Sequence, residues 1–452
     1  MAPPSAAPPA PLHRHGRLRR LHRAAATKMK RGLMACLGPG LITGASDDDP
    51  SGIATYAQTG AQFGFQLLWV LLLTLPLMAA IQEIAARIGR VTGRGLARNM
   101  RLHYPKPLVY LLVLLLIIAN ITNLGADIGA MGESLQLITG GPDFLRPLFA
   151  ILLTILSLVS QIFLSYERYT QFLKYLSMLM LVYVATGFVV HVPWSDALYH
   201  TVVPHISANT AFIALLVGVL GTTISPYLFF WQASLESEHV KITPGTEPLT
   251  RAPLQTREAF RRIRIDTYLG MALSNVIAFF IMLCAAATLH NDPNPHARDI
   301  TSAAQAAATL APLAGHFAST LFALGILGGG LLAIPSLAGS AAYAVGELFH
   351  WPVGLERSPR RAKGFYSVLA LAALLSVGLV LSPINPMKAL VWSAMINGIV
   401  AVPVMVMIML LYSNRRVMGP FTRLSKTLRI TGWLATLVMA LAAIAFFVTL
   451  HH

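Results

Sequence analysis

The sequence predicts an all-α membrane protein, and three observations predict it. Of 452 residues, 55% are hydrophobic and only 12% are charged, too few to cover the surface of a soluble protein of this size. The apolar residues come in runs of about twenty, the length that crosses a bilayer as a helix. They do not alternate with polar residues, which argues against a membrane β-barrel.

Eleven spans are expected, over roughly 33–58, 66–88, 107–137, 147–165, 172–192, 211–235, 267–289, 315–346, 365–382, 387–412 and 430–450. The first, third, sixth and eighth contain Gly, Pro or polar interruptions. The basic residues test this count. With the N-terminus in the cytoplasm, 31 of the 34 Lys and Arg fall on the inner side. Only Arg146, Arg298 and Lys388 fall outside. That asymmetry is the positive-inside pattern, and it puts the C-terminus outside. The formal charge of +16 follows from the inner loops, so anionic lipid is the expected partner rather than nucleic acid.

Residues 1–32 are Ala/Pro-rich, then Arg-rich, with no acid. This composition predicts a disordered basic tail, although a mitochondrial targeting segment would share it. The rest, 33–452, is expected to be one transporter domain. Cys36 and Cys284 fall near opposite membrane faces, so neither a disulfide nor a cysteine metal site is expected. Residues 257–264 resemble a short interfacial helix. Residues 291–312 read as a turn followed by a short helix.

Span one breaks at Asp49-Pro50, and span six breaks at Ser225-Pro226, at a similar depth. The two are five spans apart and cross in opposite directions. Paired broken helices in inverted halves point to a transporter with its site at the midplane. The halves would be about 33–192 and 211–412, with an extra helix at about 430–450.

Pro50 donates no backbone hydrogen bond and disfavours helix at Asp49. Freed carbonyls in a membrane must line a polar cavity or find protein partners. Asp47, Asp48 and Asp49 there would be costly without a cation or protons. The pattern suggests an oxygen-rich cation site centred on Asp49. Successive helical residues diverge by about 100°, so the three acids cannot all share one role. Asp47 and Asp48 stay protonated or line the access path. The competing reading is a solvated cap at the membrane edge. Thr222, Thr223, Ser225 and Tyr227 at the second break complete an oxygen shell, or else form a proline kink with hydroxyls bonded back to the helix. Glu83, Asn123, Asp127, Glu133 and Asn397 are further polar residues in apolar runs. Each is a pathway candidate or an interhelical hydrogen-bonding group. Gly328-Gly329-Gly330 lacks a P-loop context and reads as close helix packing.

At this point the residues resemble a known family. Gly38-Pro39-Gly40, Asp49-Pro50-Ser51-Gly52-Ile53-Ala54-Thr55, Gly60-Ala61-Gln62-Phe63-Gly64 and Leu67-Leu68-Trp69-Val70 resemble the first two helices of the Nramp family. Ala85-Ala86-Arg87 and Thr92-Gly93-Arg94 extend the match. The resemblance implies a LeuT-type inverted repeat of five plus five helices, with helices one and six broken and one helix added. It also implies secondary transport of divalent transition metals, usually coupled to protons.

The family motifs are Asp-Pro-Gly-Asn in helix one and Met-Pro-His in helix six. The family's metal-binding Asp falls on Asp49 and is kept. Its Asn ligand falls on Gly52, its Met on Ser225, its carbonyl-donating Ala on Thr222 and its His on Tyr227. Without the thioether, preference for transition metals over hard cations weakens. An all-oxygen site suits Mg²⁺, with Mn²⁺ accepted, as in the divergent magnesium-transporter-like branch. The family's helix-three acids fall near Asn123 and Ala126, and span nine lacks the family's Arg. Both departures point away from proton coupling.

The implied metal site comprises Asp49, Ser51, Gly52, Thr222 and Ser225. Ser46, Asp47, Asp48, Thr223, Tyr227, Asp127 and Asn397 lie along its pathway. The expected function is divalent-metal transport by alternating access, with the metal as substrate and no cofactor. A proton-coupled Mn²⁺ or broad transition-metal importer is one alternative. An amino-acid transporter of the same fold is another, but three acids at the break oppose a carboxylate ligand. No nucleophile or cofactor motif suggests an enzyme. The expected setting is a bacterial inner membrane, as a monomer or weak homo-oligomer.

Overall fold

In a computed structural model of the chain, residues 39–163, 178–423 and 425–450 are described. The basic tail and Cys36 lie outside them. The described residues form helices and no strands.

The first expected span is two helices, α1 (Pro39–Asp47) and α2 (Pro50–Phe63), with Asp48 and Asp49 non-helical between them. Then come α3 (Leu68–Thr92), α4 (Leu96–His103), α5 (Lys106–Thr139) and α6 (Leu145–Phe163). Next are α7 (Val182–Val189) and α8 (Trp194–Val202). The sixth span is again two helices, α9 (Thr210–Thr223) and α10 (Pro226–Ile242). The chain continues with α11 (Thr256–Thr288), α12 (Ala318–Phe349), α13 (Lys363–Val380), α14 (Pro386–Ser413) and α15 (Lys426–Leu450).

Both breaks have the same local cause. Pro50 and Pro226 occupy first-turn positions, where a missing N–H costs nothing. The residues before them, Asp49 (φ −78°, ψ 165°) and Ser225 (φ −79°, ψ 127°), are extended, as a residue before proline prefers. The interruptions expected in spans three and eight do not break those helices. α5 is continuous, and α12 runs through Pro335. Residues 257–264 form the first turns of α11 rather than a separate interfacial helix.

Helix lies at each expected span, but not every one is long enough to cross alone. By length and composition, eight helices among the described residues can cross a membrane. The count becomes nine if Leu179–Val189 and Trp194–Val202, bent by 120°, form one span. That count covers only the described residues, which include part of the first, fourth and fifth expected spans. Within them the first break separates α1 from α2, Leu145–Gln161 is a shorter apolar helix, and Leu179–Val189 bends before Trp194–Val202.

Small residues bring the helices of the site together. A methyl group at Gly44 would collide with Gly270 of α11, and one at Gly221 with the Ala394 carbonyl of α14. The predicted packing role of the Gly328–Gly330 run is sharper in the structure. A methyl at Gly329 would collide with the carbonyl of Asp48, so α12 lies directly against the first break. Cys284 is buried beside the Tyr183 carbonyl, 3.5 Å away.

Candidate metal-transport site

The two breaks face each other. The Tyr227 hydroxyl, on the first turn of α10, donates to the Ser46 carbonyl at 3.0 Å and lies 3.3 Å from Asp49 Oδ2. Gly52, on the first turn of α2, faces Thr222. A Cβ there would lie 2.9 Å from Thr222 Oγ1 and 3.3 Å from Tyr56 Cε2. The space left by the missing side chain at Gly52 is therefore occupied by the Thr222 hydroxyl and the Tyr56 ring. Loss of the Asn side chain thus opens no extra room at this point.

Asp49 caps α2 and is 2% exposed. Its Oδ1 accepts from Gly52 N at 2.8 Å, and its Oδ2 accepts from Asn123 Nδ2 at 3.0 Å. All of its hydrogen-bond donors are neutral, and Oδ1, which accepts from Gly52 N, has a second lone pair to offer a cation. A buried carboxylate with no cationic side chain bonded to it is the arrangement a bound metal would complete.

The other residues fall into two groups. On one side, Ser51 N donates to Asp127 Oδ1 at 3.2 Å, and Ser51 Oγ lies 3.3 Å from the Leu390 carbonyl. Ser393 of α14 donates to Asn123 Oδ1 at 2.7 Å and lies 3.4 Å from Ser51 Oγ. Asp127 Oδ2 has no partner among the described residues, and neither amide atom of Asn397 has one. On the other side, the Ser274 hydroxyl of α11 lies 2.7 Å from Asp47 Oδ2 and 2.8 Å from Asp48 Oδ1. Asp47 and Asp48 thus share Ser274, while Asp49, beyond the end of α1, turns to Gly52 and Asn123. Asp47 is 1% and Asp48 5% exposed, so the solvated-cap reading fails.

At the second break the Ser225 hydroxyl lies 2.9 Å from the Gly221 carbonyl and 2.8 Å from that of Thr222. Its proton bonds back to the helix, leaving its oxygen lone pairs to act as acceptors. Thr223 also bonds back, to the Val219 carbonyl at 2.9 Å, and has a local helical role. Two other candidates lie elsewhere. Glu83 pairs with Arg87 and approaches Arg264 at 3.4 Å. Glu133 accepts from Ala303 N at 2.8 Å.

Sequence reasoning singled out neither Ser274 nor Ser393. Ser274-Asn275, polar in an otherwise apolar run, was the available signal for the first. Ser393 has no comparable signal. Among the described residues no group of three or more His, Cys, Asp or Glu is placed to hold a metal.

Comparison with known proteins gives the family and the fold. The family model described as natural resistance-associated macrophage protein-like (Nramp) matches residues 40–449. The chain is 30% identical over 422 residues to a divalent metal cation transporter MntH of Deinococcus radiodurans, covering 91% of this chain and 89% of that protein. It is 29% identical over 423 residues to a protein of the same name from Klebsiella pneumoniae, covering 92% and 93%. In fold it resembles the manganese transporter of Eremococcus coleocola, with a TM-score of 0.70, 17% identity and coverage of 92% of this chain and 86% of that one. It also resembles Mhp1, a nucleobase-cation-symport-1 family transporter in a closed conformation, at a TM-score of 0.56 and 14% identity over 91% and 92%. The family consists of transporters rather than enzymes, with metal as cargo and no cofactor. The chain is an integral membrane protein that belongs to the Nramp family of metal transporters.

Proposed function

We propose that this chain moves divalent metal ions bound through oxygen, Mg²⁺ with Mn²⁺ also accepted, by alternating access between its two broken helices. The observation that carries the reading is the meeting of both breaks at Asp49, where Tyr227 of the second break lies 3.3 Å from Oδ2 and bonds to the Ser46 carbonyl of the first. Asp49 is the central ligand. Thr222 and Ser225 approach from the second break, and Ser51 and the Gly52 backbone from the first. Such a shell suits hard cations that keep part of their water. Ser225 offers no soft donor to favour transition metals.

The proposed topology has eleven crossings, N-terminus cytoplasmic and C-terminus outside, in a bacterial inner membrane. The two broken helices then belong to inverted five-helix halves. Inward movement of a divalent ion down a negative-inside potential gains about 2.3 kcal/mol per charge per 100 mV. This driving force is available without proton coupling.

A second reading, proton-coupled Mn²⁺ uptake, is favoured by the relatives named for divalent metals and for manganese. Flux into proteoliposomes decides between them. Under the first reading, millimolar Mg²⁺ enters or competes with Mn²⁺ and the lumen does not acidify. Under the second, Mg²⁺ neither enters nor competes, and Mn²⁺ entry acidifies the lumen. Intact flux in Asp49→Ala would remove the site assignment common to both.

A further inference from the structure

At the junction of α14 and α15, away from the metal pathway, a cavity of about 330 Å³ is lined by Ser413, Arg415, Thr422, Lys426 and Arg429. Three cations and two hydroxyls line it, and no acid does. Residues 413–429 contain no Asp or Glu. None of the three cations pairs with a carboxylate among the described residues.

Helix polarity makes this concentration more telling. Lys426 and Arg429 lie in the first turn of α15, which has no acid. That end carries the positive pole of the helix dipole and favours anions. Two cations there, with a third also lining the cavity, make it a favourable place for an anion. The chain has no such anion nearby in sequence. Its N-terminal residues 1–38 are also free of acid and cannot fill the role.

The face of α15 beyond the cavity identifies the kind of anion. Trp433 lies four residues after Arg429, and Leu437 four after Trp433, so all three share a face. Trp433 and Leu437 are exposed. An indole one turn from a cationic end is the usual membrane-interface arrangement. The ligand therefore has a phosphate for the cavity and hydrocarbon for the helix face. We propose that this cavity binds the phosphate headgroup of an anionic glycerophospholipid, with its acyl chains along α15. The bound lipid brackets the α14–α15 junction.

The full-length protein in detergent, titrated with phosphatidylglycerol and read by native mass spectrometry and melting temperature, tests this. Metal flux is not a readout, so this inference and the metal reading fail separately. The wild type is expected to retain a phosphatidylglycerol and gain melting temperature, with little effect from phosphatidylcholine. Replacing Arg415, Lys426 and Arg429 by Gln is expected to weaken binding about a hundredfold, from the contribution of each interfacial cation. Replacing Arg357, Arg360 and Arg361 by Gln removes equal charge elsewhere and should leave binding nearly unchanged. If the first triple variant does not fold, Lys426→Gln alone should weaken binding about fivefold. Equal losses in both triple variants would mean diffuse attraction and overturn the site. Inorganic phosphate stabilising as well as phosphatidylglycerol would overturn the lipid assignment, as would a wild type that binds no phosphatidylglycerol.

Discussion

At Gly52 and Thr222 the chain exchanges volume across the site. By resemblance the family has Asn at the first position and Ala at the second. Here a bare Cα meets a hydroxyl, with only 2.9 Å between a built Cβ and Thr222 Oγ1. The two departures are therefore coupled. Gly52→Asn alone is expected to reduce metal flux, because its side chain must displace Thr222 or Tyr56. Adding Thr222→Ala should recover flux and raise preference for Mn²⁺ over Mg²⁺. A double-mutant cycle measures the coupling, expected at about 1–2 kcal/mol for residues in contact. Additive effects would mean that the two positions are independent. Ser225→Met tests the donor argument separately. It should raise the Mn²⁺-to-Mg²⁺ flux ratio, since a thioether favours the softer ion. An unchanged ratio would remove Ser225 from the shell.

Among the elements, the breaks were the most legible in the sequence, because proline acts locally. Asp49-Pro50 and Ser225-Pro226 locate the ends of four helices from steric rules alone. The partners of the breaks were harder to read, since they come from α5, α11, α12 and α14. Ser393 and Gly329 matter through their place in the packing, and an isolated Ser or Gly in an apolar run carries no mark of its neighbour. Glu83, which the sequence left open between the pathway and a bonding role between helices, belongs to a buried ion pair with Arg87, whose guanidinium lies 4.3 Å from the Phe260 ring. Glu83→Gln should cost about 3 kcal/mol of stability, the lower end for breaking a buried pair. Thermal or denaturant unfolding would measure the cost. Metal affinity of the folded fraction should not change. Gly329 predicts the reverse pattern. Gly329→Val should impair transport by displacing the Asp48 carbonyl, and the loss should appear in maximal flux even where the protein remains folded in detergent.

For the whole molecule, the number of crossings decides which face each terminus occupies. Length and composition support eight or nine, whereas the basic residues support eleven. The three basic residues that the alternation puts outside offer an independent check. Lys388 Nζ lies 3.8 Å from Asp299 Oδ2, next to Arg298. Asn385, three residues before Lys388, donates to the Thr301 carbonyl at 2.9 Å. Ala303 in turn donates to Glu133, close enough to Arg146 for their charges to interact. The exceptions thus gather at one end of the helices, although they are far apart in sequence. Arg87 and Arg264 meet at Glu83, and Arg262 meets Glu236, drawing together two loops assigned to the inner side. A miscounted span would mix these sets, and the eleven-crossing topology proposed above keeps them apart. The prediction is one of parity. In a variant with Cys36 and Cys284 replaced by Ser, a cysteine introduced by His451→Cys should react with an impermeant maleimide on intact cells. One introduced by Arg360→Cys should react only after permeabilisation. Three helices, α13 to α15, separate the two positions. The reverse pattern, with Arg360→Cys reactive on intact cells and His451→Cys protected, would therefore mean an even number of crossings from a cytoplasmic N-terminus, and the eleven-crossing arrangement would fall.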